Sequence, residues 1–194
     1  MKNCMSAIKQ EYTDSSWQNI TRRPIFSLIG YLPKEICSRV ISEWPYGKVE
    51  RHDTELGWSA KYFTSVINLN HELNTEVDRY LRTAWEQAIE YYDLDIDSYE
   101  PYEVKKYVQG DSISEHVDLF YSMKPSERKL TMVVQLSEHS DYEGGELTVA
   151  PMQVADKAIG TVTVFPGFHT HAVKEIISGT RWSLNCWAWG KHWK

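Results

Sequence analysis

The amino-acid sequence predicts an α+β protein whose body is a β-sandwich or a jelly-roll barrel. Apolar residues recur at helical spacing in the first half of the 194-residue chain, whereas from Tyr99 onward apolar and polar residues alternate in short runs. No internal repeat and no linker rich in Gly or Ser divides the chain. We therefore expect one domain, with an N-terminal arm and flanking helices in residues 1–98 and the sheet in residues 99–194.

The first half of the chain is predicted to contain an arm, one strand and two helices. Residues 1–23 show no clear period, and Ile25–Ile29 reads as a first strand. Pro33 suits the first turn of a helix, and apolar residues then recur at helical spacing as far as Trp44. A second amphipathic helix of about five turns starts near Asn74.

The second half is predicted to form a series of short strands separated by Gly, Pro, Asp and Ser. We place a hairpin turn at Ser178–Thr180, between the last two strands, because Gly179 tolerates the positive φ that tight turns demand. The predicted strands are Glu103–Val108, Ile113–Phe120, Leu130–Leu136, Glu146–Val149, Thr161–Phe165, His171–Ile177 and Arg181–Trp189.

Charge and cysteine content argue against several classes of protein, without excluding nucleic acid as a partner. The net charge of −6 provides no electrostatic footprint for nucleic acid or for an anionic membrane. The three cysteines form no CxxC pair, which argues against a disulfide framework and against a zinc knuckle. The N-terminus lacks the apolar segment of a signal peptide, and no apolar run is long enough to span a bilayer. We expect a soluble, cytoplasmic protein that does not bind membranes.

Two histidines, an aspartate and an arginine are the candidate functional residues. His116 and Asp118 are two apart in a β-like run and would share one face of a strand. With His171 they make a 2-His-1-carboxylate set, which leaves positions open on Fe(II). Arg181 could clamp a carboxylate-bearing cosubstrate through its planar fork. A triplet such as His-x-Asp also arises by chance, so these residues alone could equally be surface or turn positions.

The order of the motifs adds specificity that no single motif has. They are Tyr107-Val108-Gln109-Gly110, His116-Val117-Asp118, Lys129–Ser137, Tyr142–Leu147, Phe165-Pro166-Gly167, His171 and Arg181. On these motifs, the chain from about Tyr99 to Trp189 resembles the 2-oxoglutarate and Fe(II)-dependent oxygenases, specifically the prolyl 4-hydroxylase-like branch and the bacterial PKHD-type hydroxylases. The resemblance implies a double-stranded β-helix, which is a jelly roll with N-terminal flanking helices packed on the sheet.

The resemblance also implies the roles of individual residues. His116, Asp118 and His171 would ligate the catalytic iron. His169 is the nearest competitor for the second histidine, but the Phe-Pro marker and the spacing to Arg181 select His171, which leaves His169 as a neighbour of the site.

Further residues are implied in binding the cosubstrate and the substrate. Arg181 would pair with the distal carboxylate of 2-oxoglutarate, and Tyr107 and Ser183 would add contacts to the cosubstrate. Gln135 stands where animal relatives carry a cosubstrate-binding tyrosine, and Gly167 stands where relatives often carry Ser. By period two, Ser183, Asn185 and Trp187 share the strand face of Arg181, so the last two are expected to border the metal and the substrate. We interpret Gly144 and Gly145 as backbone devices for a bend beside the site.

The reaction implied is oxidative decarboxylation of 2-oxoglutarate to succinate and CO₂, coupled to hydroxylation of an unactivated C–H. The cofactors would be Fe(II) and 2-oxoglutarate, with O₂ as the oxidant and ascorbate as a candidate reductant. A peptidyl or protein prolyl residue is the expected substrate, and a free amino acid or other small molecule is the alternative. A non-catalytic jelly-roll module with a structural metal such as zinc is the rival from another class. The loop Tyr121–Arg128 is a candidate substrate lid.

Overall fold

The computed structural model describes residues 25–54, 59–68, 72–119, 126–150 and 153–191. The predicted N-terminal arm and the Tyr121–Pro125 part of the predicted lid lie outside these residues. Two helices are present in the described part of the chain, α1 (Lys34–Ser42) and α2 (Glu72–Tyr92). Pro33 precedes α1 directly, as its fixed φ favours. Neither described helix has an apolar stretch long enough to cross a membrane.

The strands are short, except for the last. They are β1 (Phe26–Leu28), β2 (Glu50–Thr54), β3 (Ala60–Val66), β4 (Ser98–Tyr99), β5 (Glu103–Val108), β6 (Ile113–His116), β7 (Ser126–Gln135), β8 (Tyr142–Gly144), β9 (Leu147–Val149), β10 (Gln153–Val154), β11 (Val162–Pro166), β12 (His171–Val173) and β13 (Ile176–Lys191). A 3₁₀ turn (His139–Asp141) precedes β8.

These strands form one curled antiparallel sheet. Its order is β1-β11-β7-β13-β5-β3-β6-β12-β9-β10, with β2 beside β3, and with β4 and β8 beside β13. Every described strand pair is antiparallel, as in a jelly roll. The predicted jelly-roll body is therefore confirmed as a curled antiparallel sheet. The long strand β13 lies at its centre, between β7 and β5.

The helices and one face of the sheet share a hydrophobic core. Alternation along β7 and β13 sends every second side chain toward this core. Burying one such aliphatic side chain contributes about 1.5–3 kcal/mol, so this layer supplies much of the stability. Its fully buried members include Val77, Leu81 and Ala84 of α2, Leu130, Met132 and Val134 of β7, and Leu184 and Ala188 of β13.

The predicted hairpin turn at Ser178–Thr180 is wrong. The chain runs through these residues as part of β13. It does not reverse between β12 and β13 either, because β12 and the start of β13 run antiparallel to β9 and β8 in turn. Gly179 does have a positive φ of 78°, and a Cβ there would lie 2.1 Å from the carbonyl oxygen of Asp141. The glycine therefore permits a close approach to the neighbouring chain instead of a turn.

Two further elements depart from the sequence prediction. The hairpin β2–β3 was missed because β2 (Glu-Arg-His-Asp-Thr) has no apolar alternation, and it pairs only with β3 among the described strands. The strand predicted over Ile113–Phe120 ends at His116, so Asp118 follows β6 and does not lie on it. A hydrogen bond of 2.9 Å from the Asp118 amide to the Gly167 carbonyl fixes this segment instead.

Candidate metal and cosubstrate site

Three predicted ligands meet at one end of the sheet. His116 and His171 are direct partners in the pairing of β6 with β12, and their ring centroids are 4.2 Å apart. His116 Nε2 lies 3.6 Å from Asp118 Oδ1, and His171 Nε2 lies 3.4 Å from Asp118 Oδ2. One donor atom from each residue lies within 4.8 Å of the other two. The three groups are thus close enough to bind a single ion.

Backbone carbonyls orient both imidazole rings. His116 Nδ1 is 2.9 Å from the Ser114 carbonyl oxygen, and His171 Nδ1 is 3.0 Å from that of His169. Because a carbonyl oxygen can only accept, each Nδ1 carries a proton, and each Nε2 is the nitrogen left for Asp118 or for a metal. Both Nε2 atoms face Asp118, so the rings present the atoms that a metal requires. His169 thus positions His171 through its backbone, while its own Nδ1 is 3.2 Å from the Ala150 carbonyl.

Asp118 is buried and held by two hydrogen bonds. Its Oδ2 accepts from Thr131 Oγ1 at 2.6 Å and from Trp187 Nε1 at 2.8 Å. Burial by itself raises the pKa of Asp118, but the neighbouring His171 imidazole and these hydrogen bonds outweigh burial, so the pKa lies below its usual range. The carboxylate is therefore ionised and fixed in orientation.

Burial, together with the neighbouring His171, lowers the pKa of His116 and favours its neutral form. Neutral imidazole and ionised carboxylate are the forms that bind divalent metals. Two imidazole nitrogens and one carboxylate oxygen are the donor set typical of Fe(II) sites that keep positions open. The residues present therefore fit an Fe(II) ion.

Arg181 is a buried cation with an unsatisfied donor. The side chain starts from β13, lies with its guanidinium carbon 5.2 Å from the ring centre of Tyr107, and is part of a residue only 3% exposed. Its buried Nη1 has no hydrogen-bond partner among the described residues. A buried charged group with an unsatisfied donor lowers the stability of the fold. The position of this guanidinium is therefore consistent with a binding site for an anion.

Gly145 makes room for that arginine. Its φ is 62°, and a Cβ on it would lie 2.4 Å from Ile176 Cδ1 and 3.1 Å from Arg181 Cδ. Any larger residue would press on the arginine side chain from behind, besides adopting a strained backbone conformation. The interpretation of this glycine as a backbone device beside the site thus has a direct structural reason.

The three ligand candidates and Arg181 line one cavity. Four other predicted site residues line it as well: Tyr107, Ser183, Asn185 and Trp187. Ser183 Oγ donates to Asn185 Oδ1 at 2.8 Å. The metal-ligand candidates and Arg181 thus face one shared cavity.

Gln135 lines a second cavity, next to that of the metal ligands. Arg181 also borders this second cavity, but Gln135 is not among the residues that line the cavity of the metal ligands. Its Nε2 donates to the Ser137 carbonyl and to Tyr142 Oη, each at 3.0 Å. These bonds occupy the amide nitrogen, so in this structure only the Gln135 oxygen remains for another partner.

Sequence reasoning missed Thr131 and Lys105. Thr131 is the hydroxyl donor to Asp118, and Lys105 is a buried cation that lines the cavity beside Tyr107. The signal that could have found Lys105 is the period of two on β5, which places it on the same face as Tyr107. Because a lysine is seldom buried, the residue type itself gave no hint of an inward direction.

Sequence comparisons agree with this geometry. Residues 102–189 match the family model of the 2OG-Fe(II) oxygenase superfamily, which confirms the resemblance predicted from the motifs. A PKHD-type hydroxylase of a Synechococcus species is 39% identical over 83 residues, which are 41% of this chain and 36% of the relative. A PKHD-type hydroxylase of Prochlorococcus marinus is 33% identical over 84 residues, which are 42% of this chain and 37% of the relative.

The aligned part therefore spans only about a third of the length of these curated relatives. The superfamily implies Fe(II) and 2-oxoglutarate as cofactors, and the donor set and the arginine described above fit both.

Three solved structures of the same fold are described as prolyl hydroxylases. The viral collagen prolyl hydroxylase from Paramecium Bursaria Chlorella virus-1 superposes with a TM-score of 0.69 at 18% identity, over 88% of this chain and 98% of that chain. A prolyl-4-hydroxylase from Pseudomonas putida gives 0.69 at 16% identity, over 88% and 95%. A prolyl hydroxylase from Trichoplax adhaerens gives 0.68 at 14% identity, over 97% and 93%. At such low identities these likenesses establish the fold alone.

Proposed function

We propose that the chain is an Fe(II)- and 2-oxoglutarate-dependent dioxygenase that hydroxylates an unactivated C–H. The observation that carries the proposal is the buried Arg181 guanidinium, which has an unsatisfied donor and lines the same cavity as His116, Asp118 and His171. A purely structural metal site has no use for a buried cation beside it. A cosubstrate with one end on the metal and a carboxylate at the other end needs one.

The side chains of the cavity have separable tasks in this proposal. His116, Asp118 and His171 hold the iron, which with 2-oxoglutarate and O₂ supplies the oxidation of the C–H bond when bound. Thr131 and Trp187 keep the Asp118 carboxylate in one orientation through their hydrogen bonds.

The remaining residues would bind and orient the reactants. Arg181 would hold the distal carboxylate and thereby orient the cosubstrate, and Tyr107, Ser183 and Gln135 would add contacts to it. Asn185 and Trp187 would border the substrate. Residues 99–194 would form the catalytic core, and residues 1–98 its arm and flanking helices. Candidate reductants include ascorbate, as proposed from the resemblance.

For the substrate, we propose a prolyl residue of a peptide or protein. The supporting facts are the PKHD-type hydroxylases among the sequence relatives and the prolyl hydroxylases among the structures of the same fold. The Trichoplax adhaerens enzyme was solved with a peptide fragment of the hypoxia inducible factor oxygen degradation domain. A free amino acid or another small molecule is the alternative.

The test is a succinate-release assay on metal-stripped protein. Fe(II), 2-oxoglutarate and O₂ are supplied with proline-containing peptides in one arm and free amino acids in the other. We expect Fe(II) to restore activity and Zn(II) to occupy the site without turnover, because zinc has no redox chemistry. Asp118→Ala, treated identically, is the control for succinate that does not come from this site.

Full activity after chelation would refute the metal assignment. Bound metal without any binding of 2-oxoglutarate would favour the non-catalytic jelly-roll module. Release of succinate only with free amino acids would refute the proposal of a prolyl substrate in a peptide or protein. It would still support the proposed dioxygenase reaction.

A further inference from the structure

Lys105 is a buried lysine that the proposed chemistry does not use. It lies on β5, is 6% exposed, and lines the cavity of the metal ligands. Its Nζ lies 4.6 Å from the ring centre of Tyr62 and 5.2 Å from that of Trp187. Aromatic faces stabilise a cation but do not neutralise it. A fully charged amine therefore remains inside the cavity.

The sheet register places Lys105 between Arg181 and the metal ligands. Arg181 pairs with Tyr107, and Ser183, the next inward residue of β13, pairs with Lys105. Further along the same face, Trp187 donates a hydrogen bond to Asp118. A ligand that reaches from the metal toward Arg181 thus passes Lys105.

The protein provides little neutralisation for this amine. Among the described residues, the carboxylate within 4 Å of Nζ is that of Glu103, and its Oε2 is 3.8 Å away, beyond hydrogen-bond distance. The Glu103 side chain is 28% exposed, so water weakens the pair. Burial lowers the pKa of Lys105, but this effect is smaller than the combined opposite effect of its neighbours. The net pKa therefore lies above the ordinary value, and the groups that raise it are Tyr107, Tyr62, Glu103 and Asp118. The amine stays protonated.

We propose that Lys105 is a second carboxylate-binding residue of the cavity, distinct from the distal clamp Arg181. The proposal rests on the proposed dioxygenase function. The carboxylate has two possible sources, which share their chemistry: the carboxylate of 2-oxoglutarate next to its keto group, or a carboxylate of the substrate. In the second case the substrate class narrows to acids such as free amino acids.

The test compares Lys105→Met and Lys105→Arg with Lys106→Met. Methionine keeps the length of the side chain without its charge, and replacing a buried charge with an apolar group of similar volume is often neutral for stability. Lys106 is a matched control because it is the next residue on β5 and its Nζ lies over Trp44 and Trp182, on the helix side of the sheet. Lys105→Arg restores the charge if Lys105→Met folds poorly.

Two assays distinguish the two sources. In the first, 2-oxoglutarate is titrated anaerobically into the Fe(II)-loaded proteins. In the second, succinate release at saturating 2-oxoglutarate is measured with free L-amino acids and with the corresponding amides. Loss of a hydrogen bond to a charged group predicts a weakening of about 10- to 100-fold for Lys105→Met, partial recovery for Lys105→Arg, and no change for Lys106→Met.

A weakening in the first assay assigns the carboxylate to 2-oxoglutarate. Unchanged 2-oxoglutarate binding, together with loss of the preference for acids over amides, assigns it to the substrate. A Lys105→Met protein that matches the wild type in both assays overturns the inference. A wild type that binds no 2-oxoglutarate refutes the proposed function instead, so the two failures are distinguishable.

Discussion

The two faces of β13 show how one strand serves both the core and the site. On one face, Leu184, Cys186 and Ala188 are buried in an apolar core with the helices. On the other face, Arg181 and its neighbours at alternate positions are just as buried, but they are mostly polar and line the metal-site cavity. Alternation of the strand separates these two sets completely.

The two faces differ in how burial of their side chains affects stability. Each core residue stabilises the fold by leaving water, and it needs no ligand to do so. On the cavity face, Arg181 Nη1 has no partner among the described residues, and the Lys105 amine has its nearest described carboxylate only at 3.8 Å. Such groups cost stability, which fits the binding roles proposed for Arg181 and Lys105. Substitutions on the two faces should therefore affect different measurements.

The largest expected effect on the cavity face comes from Asp118→Ala. Loss of a residue that only orients a metal ligand lowers metal affinity by about 10- to 100-fold. Loss of a ligand itself should lower Fe(II) affinity by more than that, and activity should disappear. Cooperative unfolding of the metal-free protein should persist, because the apolar core is untouched. Fe(II) titration and urea unfolding measure the two quantities. Unfolding of this variant in buffer would instead indicate a structural metal site.

Leu184→Ala on the core face should show the opposite behaviour. The side chain is fully buried, so truncation should lower the free energy of unfolding by about 2 to 5 kcal/mol. The 2-oxoglutarate affinity of the folded fraction should remain that of the wild type. Urea unfolding and anaerobic titration below the transition check both statements. If the 2-oxoglutarate affinity fell together with the free energy of unfolding, the two faces would not be independent.

Trp187→Phe tests a single hydrogen bond on the cavity face. It keeps an aromatic ring and removes the Nε1 donor to Asp118 Oδ2. We expect Fe(II) affinity or activity to fall by about 10- to 100-fold, the usual cost of losing a partner that orients a metal ligand. Fe(II) titration and succinate release measure the loss. An unchanged affinity and rate would show that Thr131 alone suffices to orient the carboxylate.

Period-two reasoning predicted much of the sheet. The strand Glu103–Val108 was predicted with the limits that β5 has in the structure. The same rule placed Ser183, Asn185 and Trp187 on the face of Arg181, and all four line one cavity. These predictions succeed because alternation is a local property of the backbone.

The features that the sequence did not predict depend on contacts between distant segments. The motif Ser-Gly-Thr at 178–180 fits a turn or a close approach equally well, and the position of the Asp141 carbonyl decides between them. Likewise, the inward direction of Lys105 depends on the neighbouring rings of Tyr62 and Trp187. The polar strand β2 forms only because β3 offers it an edge.

The most direct test of the central claim is the affinity of Arg181→Ala for 2-oxoglutarate. The protein is loaded with Fe(II) under anaerobic conditions, and the metal-to-ligand absorption band is followed during the titration. Truncating one partner of a buried charge pair costs about 2 to 5 kcal/mol. We therefore expect binding to be about 30-fold to several thousand-fold weaker than in the wild type.

Arg181→Lys should recover part of the loss, because it keeps the charge but not the fork. Iron affinity and the free energy of unfolding should stay close to those of the wild type. Equal 2-oxoglutarate affinities in wild type and Arg181→Ala would contradict the account, and the metal-binding module without catalysis would then explain the structure better.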